Sequence, residues 1–499
     1  MVVGAAFVVA LALVPLGFVL VSSVDTGWDE AGRLLFRPRV GELLGNTLRL
    51  VVGGVVASAA LGLGAAWLVE RTDLPGRRVW TALLVAPLAV PAFVNSYGWV
   101  SLTSRVQGYG GAVLICTLSY FPLVFLPVSA TLRGLDPALE ETAASLGLSR
   151  WQVLARVALP QLRPALLGGS LLVSLHLLAE FGALQMLRFP TFTTAIYGQY
   201  RSSFNGPAAT TLAAVLVLLC LLLLVLEQRA RGNRRLARMG SGASRQVTRH
   251  RLGRWTPVAA LSLTALAILS LGVPLASLGH WLATGSSTAF PLTELATATA
   301  TSLGLAATAA VVTVLAALPV AYLVVRYPRV ATVLLERGTY TANALPGIVV
   351  ALALVTVAIR WAQPVYQTTL LLVTAYVIMF LPRGVVGARA ALAQAPTLLD
   401  DVASSLGVSP AQAFRRVTLP LILPGLGAGA ALVFIAAGTE LTATLLLSPI
   451  GTTTLATQFW SSSSSVAYGE AAPYAALMIL VSLPATFLLT RQSRRFTTA

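Results

Sequence analysis

Apolar stretches of about 20 residues recur from one end of this chain to the other, each long enough to cross a hydrocarbon core of about 30 Å. Lipid offers backbone N–H and C=O groups no partner, so such stretches must pair internally and be helices. Twelve qualify, near 3–23, 47–69, 79–101, 110–131, 165–187, 208–227, 257–279, 299–324, 338–359, 367–388, 425–447 and 473–490. The first has neither a basic leader nor a small-residue cleavage site, so it reads as a span rather than a signal peptide. Of 499 residues, 57% are hydrophobic and 10% charged. That leaves too little polar side chain to coat a soluble body of this size. The alternation of an outer-membrane barrel is absent. The expected fold class is an all-α membrane protein with about 12 transmembrane helices.

The charges orient these spans. With both termini cytoplasmic, the inner loops with their span ends hold 26 of the 34 basic residues and the outer loops with theirs hold eight. Two acids, Glu180 and Glu440, fall inside spans. This is the bias of the positive-inside rule. The net charge of +17 therefore records a lipid bilayer as partner. A nucleic-acid partner is not expected, because no soluble domain carries a basic patch. Every basic side chain other than histidine is arginine, with no lysine anywhere. A phosphate-binding P-loop needs lysine, so an ATP-driven mechanism would place the ATPase on another polypeptide. Cys116 and Cys220 lie in spans and read as packing residues. The three histidines, at 176, 250 and 280, are scattered. No enzyme chemistry, metal site or resident cofactor is expected.

One polar segment occurs twice, 260 residues apart. Glu141-Thr142-Ala143-Ala144-Ser145-Leu146-Gly147 is followed after nine residues by Val157-Ala158-Leu159-Pro160. Asp401-Val402-Ala403-Ser404-Ser405-Leu406-Gly407 is followed after nine by Val417-Thr418-Leu419-Pro420. Ala66-Trp67-Leu68-Val69 also matches Ala321-Tyr322-Leu323-Val324, and Pro91 matches Pro346, both at an offset of 255. The chain thus divides into a first half, 1–230, with loop 136–160; an arginine-rich cytoplasmic linker, 231–255; and a second half, 256–499, with loop 396–420. Six spans per half give two tandem halves in parallel orientation, related by a pseudo-twofold axis along the membrane normal, with the pathway expected between them.

Each loop predicts a helix, a corner and a second helix. Asp136-Pro137 reads as an N-cap with proline at the first helical position. Gly147 and Gly407 read as C-terminal stops. Ser149-Arg150-Trp151-Gln152 and Ser409-Pro410-Ala411-Gln412 read as capping boxes, and Leu159-Pro160 and Leu419-Pro420 as helix breaks. Small residues beside an acid, Glu141 or Asp401, suit close approach and register with a soluble partner. An interfacial amphipathic helix is the plain alternative. It gives no reason for the identical duplication.

The pattern Glu-x-Ala-x3-Gly-x9-(Ile/Val)-x-Leu-Pro, at 141–160 and 401–420, resembles the signature loop of membrane subunits of binding-protein-dependent ABC importers. The resemblance extends over nearly all of both halves and implies the fold of a type I ABC importer permease. It implies coupling helices that dock on an ATPase through Glu141, Ala143, Gly147, Leu159 and Pro160, and through Asp401, Ala403, Gly407, Leu419 and Pro420. Asp401 departs from the pattern by one methylene. The implied partners are two copies of an ABC ATPase, carrying ATP-Mg, and an extracytoplasmic solute-binding protein. The implied place is the bacterial cytoplasmic (inner) membrane, as a multi-pass permease.

Within that family, Ala179-Glu180-Phe181-Gly182-Ala183-Leu184 and Thr439-Glu440-Leu441-Thr442-Ala443-Thr444 resemble the ferric iron permeases. Thiamine permeases share the fused architecture, so iron(III) stands beside thiamine or another small solute. An ion-gradient-driven secondary transporter is the more distant alternative.

Glu180 and Glu440 are 260 residues apart, each about 22 Å along its span from the cytoplasmic end. Intramembrane carboxylates face a cavity or the bundle interior. They read either as a pathway or gate pair suited to a hard cation, or as structural carboxylates bonded to neighbouring helices. His176, one turn before Glu180, reads as a packed, hydrogen-bonded residue. Tyr197, Tyr200, Tyr468 and Tyr474 read as interfacial, and Ser461–Ser465 as a turn.

Overall fold

The computed structural model describes residues 1–495 apart from 26, 136, 232–249, 285–289 and 344. Among these residues every regular element is helical, and strand pairing is limited to one bridge between Thr72 and His250. Eight helices are long and apolar enough to cross a bilayer, and eleven spans result if three bent pairs count as one each. The twelfth expected span lies in the helix Tyr468–Arg495, whose side chains from 485 onward are outside the described residues.

The bent pairs show what proline does to an apolar run. Arg77–Ala89 and Ala92–Val100 meet at 90°, and Val330–Ala342 and Gly347–Trp361 at 100°. Pro91 and Pro346 stand immediately before the second helix of each pair, with ψ of 143° and 144°. A proline there loses nothing by lacking an N–H, and it pushes the residue before it into extended backbone. The sequence match between Pro91 and Pro346 is therefore a matched corner inside a span.

Two expected spans stop early. The helix Leu159–Ala179 ends before Glu180, and a short helix, Gly182–Met186, follows. Leu419–Gly438 ends before Thr439, followed by Thr442–Leu447. The loops beyond carry short helices too, Phe192–Arg201 and Leu455–Ser464. The serine run expected as a turn thus mostly completes a helix. Thr454 and Thr457 cap its start reciprocally, and Phe459 and Trp460 are buried along it.

The chain packs as two compact units. One gathers Met1–Arg37, Ala195–Val217 and Ser287–Val481; the other gathers Pro38–Thr194, Leu218–Ser286 and Ser482–Ala499. Each therefore holds most of one sequence repeat plus the opening helix of the other. In the first unit, Val2–Asp25 packs on Leu292–Arg326 and Val330–Asn343 through Ala5, Val9 and Ala12. Gly338 permits this, because a Cβ there would lie 2.8 Å from Val9. In the second unit, Val273–Thr284 crosses Ala92–Val100 where a Cβ on Gly98 would lie 2.6 Å from the Pro274 Cα.

Small residues also set the helix contacts in each unit's interior, as expected where lipid supplies no hydrophobic drive between helices. A Cβ on Gly387 would lie 3.0 Å from the Gly429 Cα, and one on Gly425 would lie 2.6 Å from the Ala391 Cβ. In the other unit, Gly62 and Gly169 both close on Val124.

Most of the arginine-rich linker lies outside the described residues, but its end is fastened. His250 donates its N–H to the Arg71 carbonyl at 2.8 Å, and Asp73 donates its N–H to the His250 carbonyl at 3.1 Å. The Asp73 carboxylate accepts from the Leu252 N–H at 2.9 Å, and the His250 ring stacks on Trp67.

Candidate functional site

The duplicated loops fold as two elbows. The first elbow opens with the helix Pro137–Ser145, expected to be a coupling helix, and the second with Thr397–Ser405. Asp136 lies outside the described residues, as do the side chains of Asp401 and Ser404. Gly147 has φ +85° and Gly407 φ +74°, the left-handed region that glycine enters at no steric cost. Leu148 donates its N–H to the Ala143 carbonyl at 3.2 Å, and Gly147 to Ala144 at 3.0 Å, the paired bonds of a Schellman stop. Val408 repeats the first of these to Ala403 at 3.0 Å.

Ser149 forms the expected capping box. Its N–H donates to the Gln152 side chain at 2.9 Å, and its hydroxyl accepts the Gln152 N–H at 3.4 Å. Pro160 and Pro420 do not break the helix that follows. A π turn at Leu154–Ala158, and another at Phe414–Thr418, precedes each Leu-Pro, and the helix runs on into the span. A wider turn moves aside the carbonyls with which a proline ring would clash. Each elbow is therefore continuous with a membrane helix.

The elbow residues sort by face. Ala143 and Ala403 are buried, with the two elbow helices packed on the turns that follow them. Glu141, Gly147, Gly407, Pro160 and Pro420 are exposed, and Leu159 and Leu419 are half-buried. At the tips, Leu146 is 78% exposed and Leu406 76% exposed. Two exposed apolar side chains at equivalent corners suit a partner's surface.

Beneath the first elbow lies a chain of charges that sequence reasoning missed. Glu140 faces inward to Arg71, with Nη2 and Oε1 2.8 Å apart and only 1% of the Arg71 side chain exposed. The neighbouring Glu70 is buried. It is bonded by Arg77, lies 3.3 Å from the Arg133 Nε and accepts from the Ser129 hydroxyl at 2.5 Å. In the other unit, Val325 stands where the repeat places Glu70, and Glu336 supplies the acid instead. It accepts from Arg389 at 2.6 Å and from the Tyr340 hydroxyl at 3.2 Å. The legible signal was the match of Glu70-Arg71 to Val325-Arg326 at the span ends. Arg383 was also overlooked, although an ionisable residue inside a predicted span is a pointer in itself. Its guanidinium lies 5.2 Å over the Phe380 ring.

Glu180 and Glu440 both cap a helix. Glu180 Oε1 accepts the Ala183 N–H at 3.0 Å and Oε2 accepts the Tyr120 hydroxyl. Its carbonyl, freed by the break, accepts the Thr193 hydroxyl at 2.6 Å. The Glu440 carboxylate accepts the N–H of Ala443 at 3.0 Å and of Thr444 at 3.1 Å, and the Thr444 hydroxyl at 2.9 Å. Tyr376 in turn meets that hydroxyl at 2.6 Å. These are N-terminal caps, in which a carboxylate satisfies the open N–H groups and complements the helix dipole. Each carboxylate is held to the short helix that follows it, and Glu180 also to Tyr120 on another helix. His176 is packed as expected, with Nδ1 2.8 Å from the Leu172 carbonyl and its ring against Tyr120. Burial pushes the Tyr197 and Tyr200 phenols above their ordinary range, which disfavours the phenolate that would ligate ferric iron. Among the described residues no cluster of three or more metal-ligating His, Cys, Asp or Glu side chains exists.

Comparison with known proteins agrees with this architecture. Residues 58–236 and 313–498 match the model of the family described as binding-protein-dependent transport system inner membrane component. The Fe(3+)-transport system permease protein FbpB 2 of Haemophilus influenzae is 40% identical over 484 residues, 96% of this chain and 95% of that protein. The ferric transport system permease protein FbpB of Actinobacillus pleuropneumoniae is 24% identical over 91% of this chain and 72% of its own length. The sulfate transport system permease protein CysT of Escherichia coli is 30% identical over 44% of this chain and 86% of that protein. With the family model matched twice, over both repeats, the chain belongs to the inner-membrane components of binding-protein-dependent transport systems, the permease subunits of ABC importers.

Proposed function

We propose that this permease carries iron(III) across the cytoplasmic membrane of a bacterium, with both termini on the cytoplasmic side. The observation that carries the cargo is the identity, over almost the whole of both chains, with an Fe(3+)-transport permease. An extracytoplasmic binding protein delivers the iron. Two copies of an ABC ATPase, holding ATP-Mg, dock on the two elbows, one in each half (1–230 and 256–499). Glu141 and Asp401 give charge for register, and Ala143 and Ala403 let each coupling helix lie close on the turn behind it. Gly147 and Gly407 fix the corner. Leu159-Pro160 and Leu419-Pro420, with the π turns before them, join the corner to a span.

ATP-driven closure of the ATPases moves the elbows, and each elbow moves its span as one rod. At the far end of each rod Glu180 or Glu440 fixes the break, and we assign the pair to the gate as capping groups rather than iron ligands. No covalent chemistry falls to this chain.

A second cargo, an oxyanion, has one observation in its favour besides the partial match to a sulfate permease. Arg383 offers a guanidinium within a membrane helix. Proteoliposomes holding the permease, its ATPase and its binding protein decide the matter. Uptake of iron(III) that requires ATP supports the reading. Uptake of sulfate, molybdate or thiamine in its place would reassign the cargo. Uptake that persists without the ATPase and follows an ion gradient would overturn the mechanism.

A further inference from the structure

We infer that Arg71 and Glu140 form an internal latch that makes the first coupling helix move with the end of the span Pro38–Arg71, and so converts docking into work. The inference rests on the proposed docking of ATPase at the elbows and adds to it.

Adjacent acids on the coupling helix point to different surroundings. Glu141 is exposed, whereas the Glu140 side chain is 16% exposed and lies 2.8 Å from a guanidinium that is buried. The coupling helix otherwise packs on the turns that follow it, Arg150–Val153 and Leu154–Ala158. The ion pair adds a tie to a different span. Arg71 is held through its side chain and its backbone, beside a second fixed residue. Glu70 beside it is bonded by Arg77 and Arg133, at the ends of two further helices. The Arg71 carbonyl holds His250, at the end of the linker, at 2.8 Å. One residue therefore meets the coupling helix through its side chain and the linker through its backbone.

A buried guanidinium and carboxylate gain from each other only while both stay in place, because either one alone would be left desolvated and uncompensated. Displacing the coupling helix by a few ångströms without its span would open the pair. The pair therefore favours joint movement. The sequence repeats the two components. Leu323-Val324-Val325-Arg326 follows Leu68-Val69-Glu70-Arg71 at an offset of 255, and Asp400 follows Glu140 at 260. The flanking acid has moved, from Glu70 to Glu336, while the sequence keeps an arginine at 326 and an acid at 400.

Arg71 and Glu140 are positioning residues, and the test separates positioning from folding and from docking. Arg71→Gln, Glu140→Gln and the double variant are purified with the ATPase and reconstituted with binding protein loaded with radioactive iron(III). Three quantities are read: ATPase retained on the purified permease, basal ATP hydrolysis, and the stimulation of hydrolysis and of iron uptake by loaded binding protein. We expect retained ATPase and basal hydrolysis in all three variants. Stimulation and uptake should fall about tenfold in each single variant and no further in the double, as a pair acting as one unit requires. Full stimulation in either single variant, or losses that multiply in the double, would overturn the latch. Loss of retained ATPase would mean that the pair serves docking, and would also overturn it. Glu140→Asp, which keeps the charge but shortens its reach to Arg71, is the companion variant should Glu140→Gln fail to accumulate in membranes. Normal accumulation and ATPase retention with lost stimulation supports the latch, and normal stimulation refutes it. Failure of the docking reading itself would show separately, as wild-type permease that retains no ATPase.

Discussion

The corner glycines are where the elbow reading is most exposed to test. Gly147 and Gly407 hold φ of +85° and +74°, and a Cβ at either would meet nothing within 4 Å. Space is therefore not the obstacle, and the whole penalty for a side chain is conformational. Alanine in the left-handed region costs roughly 1–2 kcal/mol. If the corner relaxes in the free permease and must re-form on docking, that penalty appears as roughly a 5- to 30-fold weaker grip at each elbow. Proline cannot reach the native φ and removes the N–H that Gly147 donates to Ala144. Its cost is on the order of 3 kcal/mol, or more than a hundredfold. The assay is capture of the ATPase by detergent-solubilised permease, with membrane content measured in parallel. The expected order is wild type, then Gly147→Ala with Gly407→Ala, then Gly147→Pro with Gly407→Pro, at equal membrane content. Undiminished capture by the double proline variant would refute the reasoning, because no α-helical elbow with that corner could then be what the ATPase holds.

Other consequences are open to measurement. Leu146→Asp with Leu406→Asp places charge on two exposed apolar tips; capture of the ATPase should be lost while thermal stability stays within about 0.5 kcal/mol of wild type. Glu440→Gln keeps part of the cap and Glu440→Ala removes it. Iron uptake should fall in the order wild type, glutamine, alanine, by up to about 1–2 kcal/mol in rate terms, with ATPase capture unchanged. Gly98→Val would drive a side chain into Pro274, whose Cα is 2.6 Å from the ideal Cβ position; the melting temperature should fall by the equivalent of about 1–3 kcal/mol. Tyr197→Phe should leave iron uptake unchanged, since burial already holds that phenol protonated; a marked loss would return the tyrosine to the iron pathway.

What the sequence disclosed and what it withheld divide along a physical line. Periodic or compositional features were legible. Each of the twelve apolar runs corresponds to helix, and the Gly147 stop and the Ser149 capping box formed as their local chemistry requires. These depend on neighbours within a few residues. Features that depend on where a distant side chain arrives were not legible. Hydropathy cannot register that Pro91 turns a span through 90°, because the run stays apolar through the corner. Pro160 was expected to break a helix. The π turn that accommodates it is a backbone adjustment with no residue signature. Glu180 and Glu440 were expected inside spans, whereas each lies just past the end of one. Their capping bonds depend on a break that hydropathy does not register, because the run stays apolar through it. Arg71 looked like an ordinary basic residue at a cytoplasmic span end until Glu140, 69 positions later, was seen against it.

The two offsets in the repeat now have a mechanical meaning. From Ala66 to Pro91 the halves match at 255, and from Glu141 to Glu180 they match at 260. The second register covers one continuous object in each half: coupling helix, glycine corner, π turn, membrane helix and capped break. Within it the helix from Arg150 to Ala179, about 45 Å of rise, connects the elbow to Glu180 without interruption. A single inserted residue would rotate one end against the other by about 100° and would aim the cap away from its short helix or the corner away from its partner. Length change is tolerated before the elbow, where the five-residue difference lies, because that stretch is joined to the rod by a loop. A segment whose two ends must keep a fixed angle cannot drift in length, whereas a merely interfacial helix could. The identical spacing in both halves is thus better explained by transmission of torque along a rod than by a shared need to cover the membrane surface.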